Sequence, residues 1–170
     1  TGGENKVIMT NAMRMLDKAS IAYDVVEYPV DESDLSGEHV AETMGENPYR
    51  VFKTLVAKGD KTGYCVFCIP VCAQLHLKRC AEISGNKKIV MLPLKDLLQV
   101  TGYQRGGCSP IGMKKQFLTF IDRSALQYDS IYLSAGRRGL QMVIAPQAVA
   151  DFTGATFAVL TEFKGDEENG

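Results

Sequence analysis

Few residues of this chain are able to do chemistry, and two groups stand out. One is Lys53, inside the apolar run Val51-Phe52-Lys53-Thr54-Leu55-Val56; the other is the segment Gly106-Gly107-Cys108-Ser109-Pro110-Ile111-Gly112. A lone strand lysine either guards an exposed sheet face or edge, or stands half-buried in a pocket where its charge acts more strongly than in water. In the second case its ammonium can hold a phosphate or stabilise a developing oxyanion. Paired glycines let backbone N–H groups converge on an anion, and the Ser109 hydroxyl adds a donor. A tight connecting loop uses the same residues, so both readings stand. Ser134-Ala135-Gly136-Arg137-Arg138-Gly139 is a second glycine-bearing turn with the same two readings.

The usual nucleophile and metal arrangements are missing. His39 and His76 are the two histidines. His39 is expected on a solvated helix face, and His76 at the start of a helix without a catalytic role. There is no G-x-S-x-G elbow, P-loop or H-E-x-x-H motif. Five cysteines, an odd number, argue against a complete disulfide framework. Cys65 and Cys68 lie three apart on a predicted strand, so their sulfurs point to opposite faces. No second pair completes a ligand set, so neither metal nor cofactor is expected. Cys108 is expected to be incidental in its loop.

These residues need a scaffold, and 170 residues suffice for one domain with a real core. Residues 1–9 read as an N-terminal extension, with Thr1-Gly2-Gly3 as a cloning remnant. Residues 10–163 read as the single domain, and residues 164–170 as an acidic, disordered tail. Net charge is −1, so no global field draws the chain to nucleic acid. Any RNA contact must use local patches such as Lys78-Arg79, Lys87-Lys88, Lys114-Lys115 or Arg137-Arg138. No apolar run approaches the roughly 18 residues that span a bilayer, and the start carries no signal-peptide pattern. A cytoplasmic protein with no membrane or DNA partner is expected.

Thr10 is placed to cap a helix whose apolar stripe is Ala12, Leu16 and Ala19. Strands are predicted at 21–28, 51–57, 64–70, 87–92, 116–122, 130–135, 140–145 and 156–162. Helices are predicted around Val40 and Met44, at 75–84, at 94–100 and at 146–152, with Gly45, Gly85 and Gly102 as stops. Residues 51–57 and 64–70 should form an antiparallel hairpin across GDKTG. Strands and helices mix without strict alternation, which points to an α+β mixed sheet.

Taken in order, several of these segments resemble the YbaK/EbsC family, the free-standing relatives of the editing domain of bacterial prolyl-tRNA synthetase. The matching pieces are Tyr28, Asn47-Pro48 with Val51 to Leu55, and Gln74-Leu75 with Leu77-Lys78. Thr101-Gly102-Tyr103 with Gly106-Gly107-x-Ser109-Pro110-x-Gly112 follows, and then Ile131-Tyr132-x-Ser134-x-Gly136-x-Arg138-Gly139-Leu140. They span about residues 10 to 162.

The resemblance implies a partly barrel-like mixed sheet flanked by helices. It also implies removal of a mischarged amino acid from tRNA, with cysteine on proline tRNA as the leading substrate. On this reading Lys53 is the catalytic residue. Tyr28, Thr54, Gly106, Gly107, Ser109, Pro110, Ser134, Gly136 and Gln141 shape the site around the aminoacyl-tRNA acceptor end. Prolyl-tRNA synthetase is a candidate partner. A substrate thiol attacking its own ester would explain the missing nucleophile, with Lys53 and the N–H groups of Gly106 and Gly107 stabilising the oxyanion. The chain departs from the family at Ser36, where an aromatic is common, at Ala135 and at Gln141, where an acid is frequent. Deacylation of alanyl-tRNA(Pro), and a non-catalytic module binding a tRNA end or nucleotide, are the competing readings.

Overall fold

The computed structural model describes residues 8–162. Of the expected N-terminal extension only Ile8 and Met9 fall within it, and the expected tail at 164–170 lies outside the described residues. Thr10 caps the first helix, α1 (Asn11–Lys18), by accepting from the Met13 N–H. This satisfies one of the four N–H groups that a helix start leaves open. Ala12, Met13 and Leu16 form the buried stripe, while Ala19 is the exposed C-cap because the helix stops before it. Then come β1 (Asp24–Glu27), shorter than the predicted 21–28, and α2 (Gly37–Met44), which Gly45 ends in the left-handed conformation.

The expected hairpin forms between β2 (Phe52–Gly59) and β3 (Gly63–Pro70). Leu75, predicted as the start of a helix, instead joins Gln74 in a short strand, β4 (Gln74–Leu75), because His76 is the cap of α3 (Leu77–Ser84). The His76 Nδ1 accepts from the Arg79 N–H at 3.0 Å. Next are β5 (Ile89–Met91), a 3-10 turn at Leu94–Asp96, and α4 (Leu97–Thr101). The long irregular stretch then leads to β6 (Leu118–Asp122), β7 (Ile131–Ser134), β8 (Leu140–Ile144) and α5 (Pro146–Thr153). The last predicted strand divides into β9 (Thr156–Ala158) and β10 (Thr161–Glu162). It breaks where the Leu160 N–H turns to the Asp122 carboxylate at 2.9 Å.

The central sheet has the order β5-β2-β3-β6-β9, antiparallel on the β5 side and parallel from β3 onward. A second, antiparallel sheet runs β1-β8-β7, and β10 pairs with β4. Alternation along β2 and β3 divides the core in two. Phe52, Val56, Val66 and Cys68 pack with α1, α5, β7 and β8; Ala57, Cys65, Phe67 and Ile69 pack toward α3. Cys65 and Cys68 therefore do face opposite sides, each as a free thiol. Each fully buried large apolar side chain stabilises by roughly 1.5–3 kcal/mol.

What positions the site is how the two larger sheets meet. At the start of β2, Val51 makes a single parallel bridge to Tyr132, whose N–H donates to the Arg50 carbonyl at 3.1 Å. Arg50 pins this seam: its Nε donates to the Ser130 carbonyl at 2.8 Å, and its guanidinium pairs with Glu46 at 3.3 Å. At the far end of the strand, β5 pairs with Ala57 to Gly59. Between these two ends no described strand covers this edge of β2. The mixed α+β sheet with flanking helices is thus as expected, but the curl stops at the seam and no closed barrel forms. Among the described residues no helix is long and apolar enough to cross a membrane.

Candidate active site

A cavity of about 370 Å³ fills that opening. Its floor is the uncovered edge of β2, from Lys53 to Val56. Leu35 to Glu38, at the start of α2, make one wall; Met91, Leu92, Leu94 and Leu97 make another. Arg105, Gly106 and Cys108 come from the irregular loop, and Ser134 and Gln141 from β7 and β8.

Lys53 is half-buried, and its ammonium makes no ion pair or hydrogen bond among the described residues. Burial lowers its pKa from 10.5, while the Glu38 carboxylate acts in the opposite direction. An amine held this way is a cation without a fixed partner, ready for an incoming anion or a polarised carbonyl. Backbone groups alternate from side to side along a strand. The carbonyls of Arg50 and Val56 are both bonded on the open edge, so the N–H and C=O of Thr54, an even number of residues from each, point into the opening.

The loop opposite behaves less simply than its sequence suggests. Gly106 has φ of +85° and lines the cavity. The Gly107 N–H donates to the Gln104 carbonyl at 3.0 Å, so it is engaged in a turn rather than turned to the site. Gly107 serves by its smallness: a Cβ there would stand 3.0 Å from the Arg137 Cα, so the loop and the 136–139 turn lie backbone to backbone. Arg138 ties them further, its Nε donating to the Arg105 carbonyl at 2.8 Å.

The structure brings Lys53, Thr54, Gly106, Ser134 and Gln141 together around one cavity. Ser109 and Pro110 are buried behind it, the Ser109 Oγ accepting from the Ile111 N–H. Gly136 packs on the Tyr103 ring, also behind the wall. Tyr28 lines an adjoining depression that shares Leu35 and Gly106 with the cavity and adds Arg138. Sequence reasoning missed Leu35, Glu38, Leu94, Leu97 and Arg105, and set Cys108 aside. Only Arg105 carried a signal, as the cation next to the glycine pair. His39, expected in solvent, is half-buried between two aspartates, with Nε2 3.1 Å from Asp31, and steadies the loop that leads to Ser36. Ser36 caps α2.

Chemically the cavity offers two cations, Lys53 and Arg105, against one carboxylate, Glu38. It also offers hydroxyls from Ser36, Thr54 and Ser134, but neither histidine lines it. No serine there is paired with a general base. The Cys108 thiol is pushed up to about 12 by burial, which leaves it a poor nucleophile at neutral pH. Such a site can bind and polarise an ester or a phosphate, but it carries no activated nucleophile of its own.

Residues 33–152, which contain the floor and every wall of this cavity, match the model of the aminoacyl-tRNA editing domain. The chain belongs to that family. A relative from Enterococcus faecalis (strain ATCC 700802 / V583), EbsC, is 51% identical over 152 residues. The match covers 89% of this chain and 93% of EbsC, a proposed Cys-tRNA(Pro)/Cys-tRNA(Cys) deacylase. YwhH of Bacillus subtilis (strain 168) is 24% identical over 130 residues, covering 76% of this chain and 81% of YwhH. Among solved structures, a proposed trans-editing enzyme for prolyl tRNA synthetase superposes with a TM-score of 0.78 at 23% identity. It covers 92% of this chain and 99% of the other, and the likeness is one of fold. As a member of the editing-domain family the protein acts on aminoacyl-tRNA, and the cavity holds the half-buried Lys53 cation.

Proposed function

We infer that this protein is a trans-editing deacylase that removes cysteine from tRNA(Pro), working in the cavity along the open edge of β2. The observation that carries the reading is a half-buried, unpartnered Lys53 ammonium in a cavity without an activated nucleophile. Such a site suits a substrate that brings its own nucleophile. The 51% identity to EbsC supports cysteine as the amino acid.

In this reaction the cysteine thiol gives its proton to solvent, and its sulfur bonds to the ester carbonyl carbon. The carbon–oxygen bond to the terminal ribose then breaks, the ribose oxygen takes up a proton, and a cyclic thiolactone leaves. Holding the thiol against the carbonyl contributes on the order of 7–11 kcal/mol. Lys53, and Gly106 through its backbone N–H, stabilise the oxyanion; one donor of that kind contributes roughly 3 kcal/mol. Tyr28 and Arg138, in the adjoining depression, lie where the nucleotide part would extend.

With a net charge of −1 the protein has little phosphate-driven affinity of its own. Prolyl-tRNA synthetase fits as the partner that presents the tRNA, and co-sedimentation with synthetase and tRNA should give a ternary complex. The activity is tested with labelled Cys-tRNA(Pro), Ala-tRNA(Pro) and Pro-tRNA(Pro). Rapid loss of Cys, slow loss of Ala and stable Pro are expected. Turnover of none above buffer would leave a binding module, and faster loss of Ala would make the protein an alanine editor.

A further inference from the structure

Three arginines gather where the Gly106–Gly107 loop meets the 136–139 turn. Arg138 is spent on the junction: its Nε donates to the Arg105 carbonyl and its Nη1 to Glu32 at 3.2 Å. Arg105 and Arg137 differ from it. Both are exposed, and neither guanidinium makes an ion pair or hydrogen bond among the described residues. Carboxylates are at hand, since Glu38 lines the same cavity as Arg105 and Glu27 the same depression as Arg137, yet neither is paired with them. The backbone holds the two arginines side by side instead, through the close packing of Gly107 on Arg137.

These arginines mark the two ends of a path. Arg105 lines the cavity that holds Lys53. Arg137 lines an outer depression of about 490 Å³, together with Tyr28, Pro29 and Arg138. A narrow depression joins the two, sharing Leu35 and Gly106 with the cavity and Tyr28, Pro29 and Arg138 with the outer one. The arginine fork matches a phosphate group through two parallel bonds and stays charged at any working pH.

Resting on the deacylase reading above, we propose that Arg105 and Arg137 hold backbone phosphates of the single-stranded acceptor end, which leaves the cavity along this path. The esterified adenosine occupies the inner end, beside Lys53, and the strand on its 5′ side passes Arg105 and then Arg137. A single strand carries one charge per nucleotide and bends freely, so it can follow a curved line of depressions. Contacts of this kind read charge and not sequence. They add affinity for any acceptor end without choosing among tRNAs.

The experiment measures kcat/KM of the wild type, Arg137→Gln and Arg137→Lys on three cysteinyl esters: of adenosine, which has no phosphate, of the trinucleotide CCA, and of tRNA(Pro). Arg137→Gln should lose roughly three- to tenfold on the trinucleotide and on tRNA at low salt, and nothing on adenosine. The slope of log kcat/KM against log salt should become shallower by about 0.7 on both phosphate-bearing esters. Adding Arg105→Gln should take away about as much slope again. Arg137→Lys, which keeps the charge, should keep the slope. An equal loss on all three esters would mean that Arg137 acts through the cavity, and a loss on tRNA alone that it touches the duplex. Either result overturns the assignment, as does no loss at all. Absence of turnover of every ester by the wild type would overturn the deacylase reading itself, which is a different result.

Discussion

The two halves of β2 have the same partner on one side and opposite fates on the other. From Ala57 to Gly59 the strand is paired on both edges, by β3 and by β5. From Lys53 to Leu55 only β3 pairs with it, because β7 reaches no further than Val51 and β5 no further than the Leu92–Val56 hydrogen bond. The paired half holds the sheet together, while the open half gives up a ladder and gains a cavity floored by backbone groups and a half-buried cation. The floor of the site therefore needs no loop to build it. It arises where two sheets fail to zip.

The largest expected difference between the halves is in activity. Lys53→Ala should lower kcat/KM on Cys-tRNA(Pro) by about 10²–10³-fold, yet its melting temperature should not fall. A half-buried cation without a partner is a cost to the folded state, which truncation removes. Gly59→Ala should do the reverse. Its Cβ would overlap the Asn86 side chain, whose Oδ1 accepts from the Lys61 and Thr62 N–H groups at 2.8 and 3.0 Å. Disturbing that buried knot should cost roughly 1–3 kcal/mol and several degrees of Tm, with turnover per folded molecule unchanged. A thermal melt and an active-fraction assay on the two variants would break the comparison if both lost the same property.

The smallest effect is in pH dependence. Lys53 must be protonated to act, and its folded pKa lies below 10.5 chiefly through burial. Activity is therefore present below that folded pKa and lost as pH rises through it, earlier than an ordinary lysine would allow. Glu38→Gln removes the carboxylate that opposes the depression, so the alkaline limb should move to lower pH. No movement in the pH–rate profile would separate Glu38 from Lys53. The sign for stability is opposite: the unfolded chain holds this proton more tightly, so stability rises with pH from the folded pKa up to 10.5.

Much of the local structure was legible because its causes are local. Thr10 as a cap, Gly45, Gly85 and Gly102 as stops, and the β2–β3 hairpin follow from side-chain oxygens, left-handed glycines and period-two patterning. Lys53 and Gly106 were placed in the site by motif, and both line the cavity. The opening itself was not legible. It depends on a parallel bridge between Val51 and Tyr132, 81 positions apart by subtraction, which no local pattern encodes. For the same reason Glu38 and Leu35 went unnoticed, since they line the cavity beside β2 only after α2 packs. Ser109, Pro110 and Gly136 belong to the matching motifs but stand behind the wall, where burial and Tyr103 explain them. Gly107 was expected to offer its N–H and instead offers its lack of a side chain.

The central claim is that the nucleophile comes with the substrate while Lys53 supplies charge. Single-turnover cleavage of Cys-tRNA(Pro) against Ser-tRNA(Pro), which differs by one sulfur-to-oxygen exchange, tests it most directly. The oxygen analogue fits the same cavity but is a far weaker nucleophile at neutral pH. Cysteine should be lost at least about a hundred times faster, since the intramolecular contribution to catalysis is absent for serine. Equal rates for the two esters would show that water or the protein attacks the carbonyl, and would contradict the claim.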